Sequence, residues 1–224
     1  VAAAIMCCIH CNAKPKEPDS YNYRRGVESA KEFKTDEAIR YLNREIDDNP
    51  KNGYALTWLA SSYIKKSEAG TALYYLESAF KYLPKSDKYY CAWAHSLKCE
   101  ILLQTKDTIG ALAEISHAIK IQPQKGDWVF QRSQIYRDNN QLDLSNADLQ
   151  KYITLSPGII RGNIALGKNY MEQKRYEEAL EQFETAHRLA TRSYTYGLMA
   201  QAQVKLHKYE DAATNCIEAL KLDI

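Results

Sequence analysis

The chain has little of what a sheet, a membrane span or a nucleotide site would need. Across 224 residues glycine and proline are scarce, at 9 and 6. No run alternates Val, Ile and Thr with polar residues, so there is no strand signal. Neither sign of charge dominates: 30 basic against 28 acidic residues leave a formal +2. That balance supports neither a nucleic-acid footprint nor a polybasic membrane face. The apolar run Val1–Ile9 is far short of the ~20 residues a bilayer span requires. The 6 cysteines are too few for a dense disulfide framework. The glycines are dispersed, with no G-x-x-x-x-G-K-[ST] or G-x-G-x-x-G, and neither G-x-S-x-G nor H-E-x-x-H occurs. The sequence therefore offers no catalytic residue and calls for no cofactor.

Hydrophobic residues at 45% and charged residues at 26% are ordinary for a folded domain. Tyrosine, at 17, is unusually common, which suits a repeated aromatic anchor. The clearest stretch is Asn163–Ala190, NIALGKNYMEQKRYEEALEQFETAHRLA. Leu166, Gly167 and Tyr170 share one face of a first helix; Ala179, Phe183 and Ala186 share one face of a second. Glu177 and Glu178 fall in that second helix's first turn, where the macrodipole favours them. The pattern recurs along the chain. Pro50, Pro84, Pro123 and Pro157 each follow an apolar helical segment at steps of 34, 39 and 34. Ala38, Ala72, Ala111, Ser145, Ala179 and Ala212 step by 34, 39, 34, 34 and 33. Two residue types that share one period and one irregularity indicate six repeats.

L-G-x2-Y followed by A-x3-F-x2-A resembles the core of the tetratricopeptide repeat. The resemblance implies an all-α fold, a right-handed α-solenoid of about six stacked helix-turn-helix repeats. They span residues 20–224, at about 20–52, 53–86, 87–125, 126–159, 160–192 and 193–224. In the family, small residues at the eighth, twentieth and twenty-seventh positions let helices approach closely. Gly26, Ala60, Gly167 and Ala200 serve the eighth position here. The third repeat carries five extra residues around Ser86–Cys91, read as a longer first helix or an extended turn. In the fourth repeat Ser133, Ser145 and Tyr152 replace small or apolar anchors. The sixth stops at Ile224 with no capping helix after it, so either it is itself the cap or the chain is cut short; the missing initiator Met fits truncation at both ends.

Residues 1–13 read as a partial signal peptide, with an apolar core and a small residue at Ala13. The alternatives are a lipoprotein signal acylated at Cys7, Cys8 or Cys11, and an ordinary buried segment. Export to a bacterial-type periplasm or envelope is favoured, with a cytoplasmic location left open. Residues 14–19, KPKEPD, read as a solvated, mobile linker.

Cys91, His95 and Cys99 stand at i, i+4 and i+8 on one helix face and could bind zinc or act in redox chemistry. Cys99 holds a position the repeat reserves for a small residue and His95 one for a large residue, so packing is the preferred reading and no metal is expected. Cys7, Cys8, His10 and Cys11 are metal-like only by composition.

The resemblance implies a non-catalytic scaffold that holds a peptide or helix of a partner protein in a concave groove. The alternative is a regulatory or sensor portion of a larger chain. In the family the second, fifth and ninth positions of first helices face the groove. Here these give Tyr23, Tyr54, Thr57, Trp93, Ser96, Phe130, Gln134, Arg161, Lys168, Tyr194 and Gln201. The mixture suits a partly apolar peptide with one acidic group. The first three repeats lack the Lys and Asn of the clamp that chaperone-binding relatives use: their fifth positions are Tyr23, Thr57 and Ser96, their ninth Val27, Ser61 and Glu100.

Overall fold

A computed structural model describes residues 17–222. The signal-like segment, its cysteines and the first half of the linker, residues 14–16, lie outside the described residues. The described residues form twelve helices. They divide into two compact bodies, Val1–Asp107 and Thr108–Ile224. The first body holds α1 (Tyr21–Lys31), α2 (Thr35–Asp48), α3 (Gly53–Lys65), α4 (Ala69–Tyr82) and α5 (Lys88–Gln104). The second holds α6 (Thr108–Ile121), α7 (Gly126–Asp138), α8 (Leu142–Leu155), α9 (Arg161–Glu172), α10 (Tyr176–Leu189), α11 (Ser193–Lys205) and α12 (Tyr209–Leu222). Each body is an all-α stack of helical hairpins, the α-solenoid class, in which sequential helices pack on one another.

The repeating sequence features terminate the helices. Pro50, Pro84, Pro123 and Pro157 each stand two residues past the end of α2, α4, α6 or α8, where a residue without an N–H can no longer extend the helix. Side-chain caps open the odd helices of the first body: Ser20 accepts from Tyr23 N, Asn52 from Ala55 N and Asp87 from Tyr90 N. The extra residues of the third repeat lengthen its first helix, 17 residues in α5 against 13 in α3.

The turn that follows each odd-numbered helix has a signature the sequence does not advertise. Phe33, Ser67, Lys106, Asn140, Lys174 and His207 all have φ between 58° and 64°. The next residue's N–H returns to a carbonyl five positions earlier, as in Lys34 N to Ser29 O and Arg175 N to Tyr170 O, both at 2.9 Å. This is the Schellman ending, normally built on glycine, yet none of the six is glycine. A side chain in the left-handed region costs about 1–2 kcal/mol, partly offset by the greater flexibility glycine has when unfolded. Lys174→Gly is therefore expected to stabilise the second body by about 0.5–1 kcal/mol. A urea unfolding midpoint that stays put or falls would contradict this.

Small residues set the helix spacing. Ala38, Ala60, Ala72, Ala111 and Ala179 are wholly buried. A methyl on Gly26 would meet Leu42 Cγ at 2.6 Å, and one on Gly167 would meet Phe183 Cε1 at 2.5 Å. Leu42, Leu59 and Leu76 then fill the first body's core, and Leu166, Tyr170 and Phe183 that of the second. In α12, Ala212 and Asn215 are buried, while Ile217, Leu220 and Leu222 are exposed.

Two departures from the small-residue rule fall at the twenty-seventh position, held by Ala79, Ala118 and Ala186 elsewhere. One is Glu45, only 1% exposed, whose carboxylate accepts from Ser20 Oγ, Asn49 Nδ2 and Asn52 Nδ2. Ser20 and Asn52 are the caps of α1 and α3, so one carboxylate ties two helix starts to α2. The other is Tyr152, wholly buried, with Gly126 and Gly162 on either side of its ring.

Candidate peptide-binding surfaces

The eleven residues read as groove-lining fall into two sets, one in each body. In the first body, Tyr23 on α1, Tyr54 on α3 and Trp93 on α5 meet through two residues outside that set, Trp58 and Tyr90. The Tyr54 and Tyr90 ring centroids are 4.7 Å apart, Trp58 and Trp93 4.6 Å, and Tyr90 and Trp93 5.5 Å. Trp58 Nε1 donates to Tyr90 Oη at 3.1 Å, and Tyr54 Oη donates to Asp87 at 3.2 Å. Tyr23 and Tyr54, expected to line an open groove, are instead buried in this cluster, at 3% and 5% exposed. Trp93 keeps an accessible face, and the neighbouring Tyr89 is 43% exposed.

Thr57 and Ser96 present no usable surface. Thr57 is fully buried with its hydroxyl donating to Gly53 O at 2.7 Å, and Ser96 is 4% exposed. In this face of the first body the fifth position packs against neighbouring helices. Tyr90 escaped the sequence reading because it lies in the turn that the five-residue insertion adds to α5, ahead of the repeat pattern. Glu17 escaped it as part of the linker. The structure corrects that reading: both Tyr23 Oη and Tyr90 Oη donate to Glu17 Oε2, so this residue is anchored. Beside it, a cleft of about 720 Å3 opens along the loop edge, lined by Pro18, Asp19, Glu45, Asn52, Tyr54 and Tyr82 among others.

Burial pushes the Tyr54 phenol up to about 12, with Asp87 adding to the effect. Burial also raises Tyr23 and Tyr90, to which the charge of Glu17 contributes. The folded body thus holds phenol protons that the unfolded chain releases near pH 10, so stability falls as pH rises from about 10 towards 12. Melting curves between pH 8 and 12 should show this fall, and Tyr54→Phe should make it shallower. An unchanged slope in the variant would contradict the assignment.

In the second body, Arg161 at the start of α9 lies over two rings, 4.6 Å from the Phe130 centroid and 5.0 Å from that of Tyr152. It pairs with Asp127 and donates to Tyr152 Oη. Phe130 and Arg161 are thus brought together, with one edge of the guanidinium already engaged. Lys168 Nζ stands 5.6 Å from the centroid of Tyr194, which is 51% exposed. Gln134 is half-buried and donates to Ser133 Oγ at 3.4 Å; Gln201 is exposed. Deeper in, Arg132 forms a two-pronged pair with Asp148, both contacts at 2.7 Å, joining α7 to α8.

The cysteine–histidine stretch of α5 is occupied by packing contacts. Cys99 is fully buried, His95 lies 4.8 Å from the Phe80 ring centroid, and Cys91 Sγ donates to Pro84 O. Burial, followed by Asp87, pushes the Cys91 thiol up. Among the described residues, no three His, Cys, Asp or Glu side chains converge as a metal site would require. No helix of the described residues is long and apolar enough to cross a membrane.

Comparison with known proteins agrees with this geometry. The tetratricopeptide repeat family model matches residues 161–192. The fold is similar to the C-terminal part of a TPR repeat-containing protein from Cytophaga hutchinsonii, with a TM-score of 0.78 and 17% identity over 88% of this chain and 78% of that one. It is similar to PilF of Pseudomonas aeruginosa, with a TM-score of 0.72 and 13% identity over 90% of each chain. It is also similar to YrrB, described as a TPR protein with an unusual peptide-binding site, with a TM-score of 0.59 and 14% identity over 88% of this chain and 94% of that one. No protein of curated function matches the sequence. Residues 161–192 thus match a tetratricopeptide repeat, and the described residues share the all-α repeat fold of those structures.

Proposed function

We propose that this protein is a non-catalytic scaffold that binds a peptide or helix of a partner on the first-helix faces of its repeats. The observation that carries the reading is the aromatic cluster of the first body, where Trp58, Tyr90 and Trp93 pack edge to face and Tyr89 stays exposed beside them. Rigid, half-exposed aromatic side chains are the residues on which binding energy concentrates. The second body adds cation-over-ring pairs, Arg161 on Phe130 and Lys168 on Tyr194, which suit a partner with an acidic group.

The test is capture from the native extract with the whole chain as bait, against a Trp93→Ala/Phe130→Ala variant of unchanged helicity. A partner held by the first bait and lost by the second, by about tenfold or more, supports the reading. A partner retained equally by both removes the first-helix faces from consideration. Export is part of the same proposal and rests on the apolar segment 1–13. Fractionation of native cells, with the mass of the mature N-terminus, tests it; an unprocessed cytoplasmic protein overturns it.

A further inference from the structure

In the first body two phenols from different helices converge on one oxygen. Tyr23 Oη on α1 donates to Glu17 Oε2 at 2.7 Å, and Tyr90 Oη on α5 donates to the same atom at 2.9 Å. The two hydroxyls are 3.2 Å apart. Trp58 Nε1 on α3 donates to Tyr90 Oη, which leaves the Tyr90 proton directed at the carboxylate. Both phenols are almost fully buried, and their raised affinity for protons keeps them donors throughout the neutral range. One hydroxyl can turn to the other, but that still leaves one buried donor without an acceptor, which is costly, so the site demands one. Glu17 meets that demand from a non-helical segment and remains exposed to solvent itself. The loop-edge cleft adjoins the same segment at Pro18 and Asp19.

We propose that Tyr23, Tyr90 and Trp58 form a carboxylate-binding site, that Glu17 fills it in cis, and that an acidic side chain of a partner peptide binds by displacing Glu17. The donors are all neutral, so they suit the single charge of a carboxylate better than a phosphate dianion. The aromatic walls, Tyr54 and Trp93 against Tyr90, favour apolar residues next to the acidic one. The segment ahead of α1 then acts as a strap that any partner must outcompete. This inference rests on the peptide-scaffold reading and names the chemistry of one of its subsites.

The test uses the whole chain with Glu17→Ala and two acetylated, amidated pentapeptides. One is the chain's own Lys-Glu-Pro-Asp-Ser, residues 16–20, and the other carries Gln in place of its Glu. Binding is read from the Trp58 indole N–H resonance. The Glu peptide is expected to bind Glu17→Ala at least about tenfold more tightly than it binds the wild type, whose site is already filled. The Gln peptide, and Glu17→Ala carrying Tyr23→Phe and Tyr90→Phe, should each lose about tenfold. The phenylalanines keep the rings, and circular dichroism checks the fold. Equal binding of the two peptides, no binding to Glu17→Ala, or no effect of the phenylalanines would each overturn the site. A partner still captured through Trp93 and Phe130 in that event would leave the scaffold reading standing.

Discussion

Glu45→Ala is expected to destabilise the first body by about 2–4 kcal/mol, although it restores the alanine that the repeat pattern prescribes at that position. The pattern asks for a small residue there because two helices approach. Glu45 instead sends its carboxylate to Ser20, Asn49 and Asn52. Bonds to an ionised acceptor are worth about 1.5–3 kcal/mol each. Two of these donors also cap α1 and α3 through their own oxygens, accepting from Tyr23 N and Ala55 N. Removing the carboxylate therefore leaves part-buried donors unpaired and loosens two helix starts together. Glu45→Gln keeps the length and one acceptor oxygen but turns an amide NH2 towards donors, so an intermediate loss of about 1–2 kcal/mol is expected. Urea unfolding in a Trp128→Phe background would follow the first body alone, since the remaining tryptophans, Trp58 and Trp93, both belong to it. An alanine variant as stable as the parent, or more so, would show that the repeat pattern outweighs the carboxylate network.

Much of the fold was legible because its determinants are local. A proline two residues past a helix, and an alanine every 34 residues or so, act through the backbone beside them or one helix away. The hairpin turns were harder to read: residues such as Phe33 and Lys174 adopt a glycine-like conformation without being glycine. In the sequence Tyr152 reads only as a replaced anchor and Glu45 does not stand out, because what offsets each of them lies elsewhere in the chain. Ser20 is 25 residues before Glu45, and Gly126 and Gly162 flank Tyr152 only in three dimensions.

The candidate site was legible in outline for a similar reason. Positions inherited from a regular repeat located Trp93, Phe130 and Arg161 on first helices, where Trp93 packs against Trp58 and Arg161 lies over the Phe130 ring. The same rule misjudged Tyr23, Tyr54, Thr57 and Ser96 as open groove surface, since all four are buried in the first body. It could not reach Tyr90, which exists outside the repeat register, or Glu17, whose role depends on two hydroxyls 6 and 73 residues away.

Tyr152→Ala should carry the largest cost in the second body, about 3–5 kcal/mol. The ring is wholly buried, lies 5.0 Å from the Phe130 centroid and sits beneath the Arg161 guanidinium. Where other repeats place alanine at this point, the chain instead thins the neighbouring helix starts. A methyl on Gly162 would come within 2.8 Å of the Tyr152 ring and of Ile153 Cγ1, and one on Gly126 within 3.1 Å of the ring's other edge. The large residue and the two glycines are therefore one packing solution. Gly162→Ala alone should cost about 1–3 kcal/mol through overpacking. In the Tyr152→Ala background the ring is gone and only the Ile153 contact remains, so the same change should cost clearly less, with a coupling of about 1 kcal/mol in the double-mutant cycle. Tyr152→Phe, which keeps the ring and removes only the acceptor of the Arg161 bond, should lose about 0.5–1.5 kcal/mol. Strict additivity of Tyr152→Ala and Gly162→Ala would mean that the glycine answers to Ile153 and not to the ring, and the compensation at this repeat junction would have to be sought elsewhere.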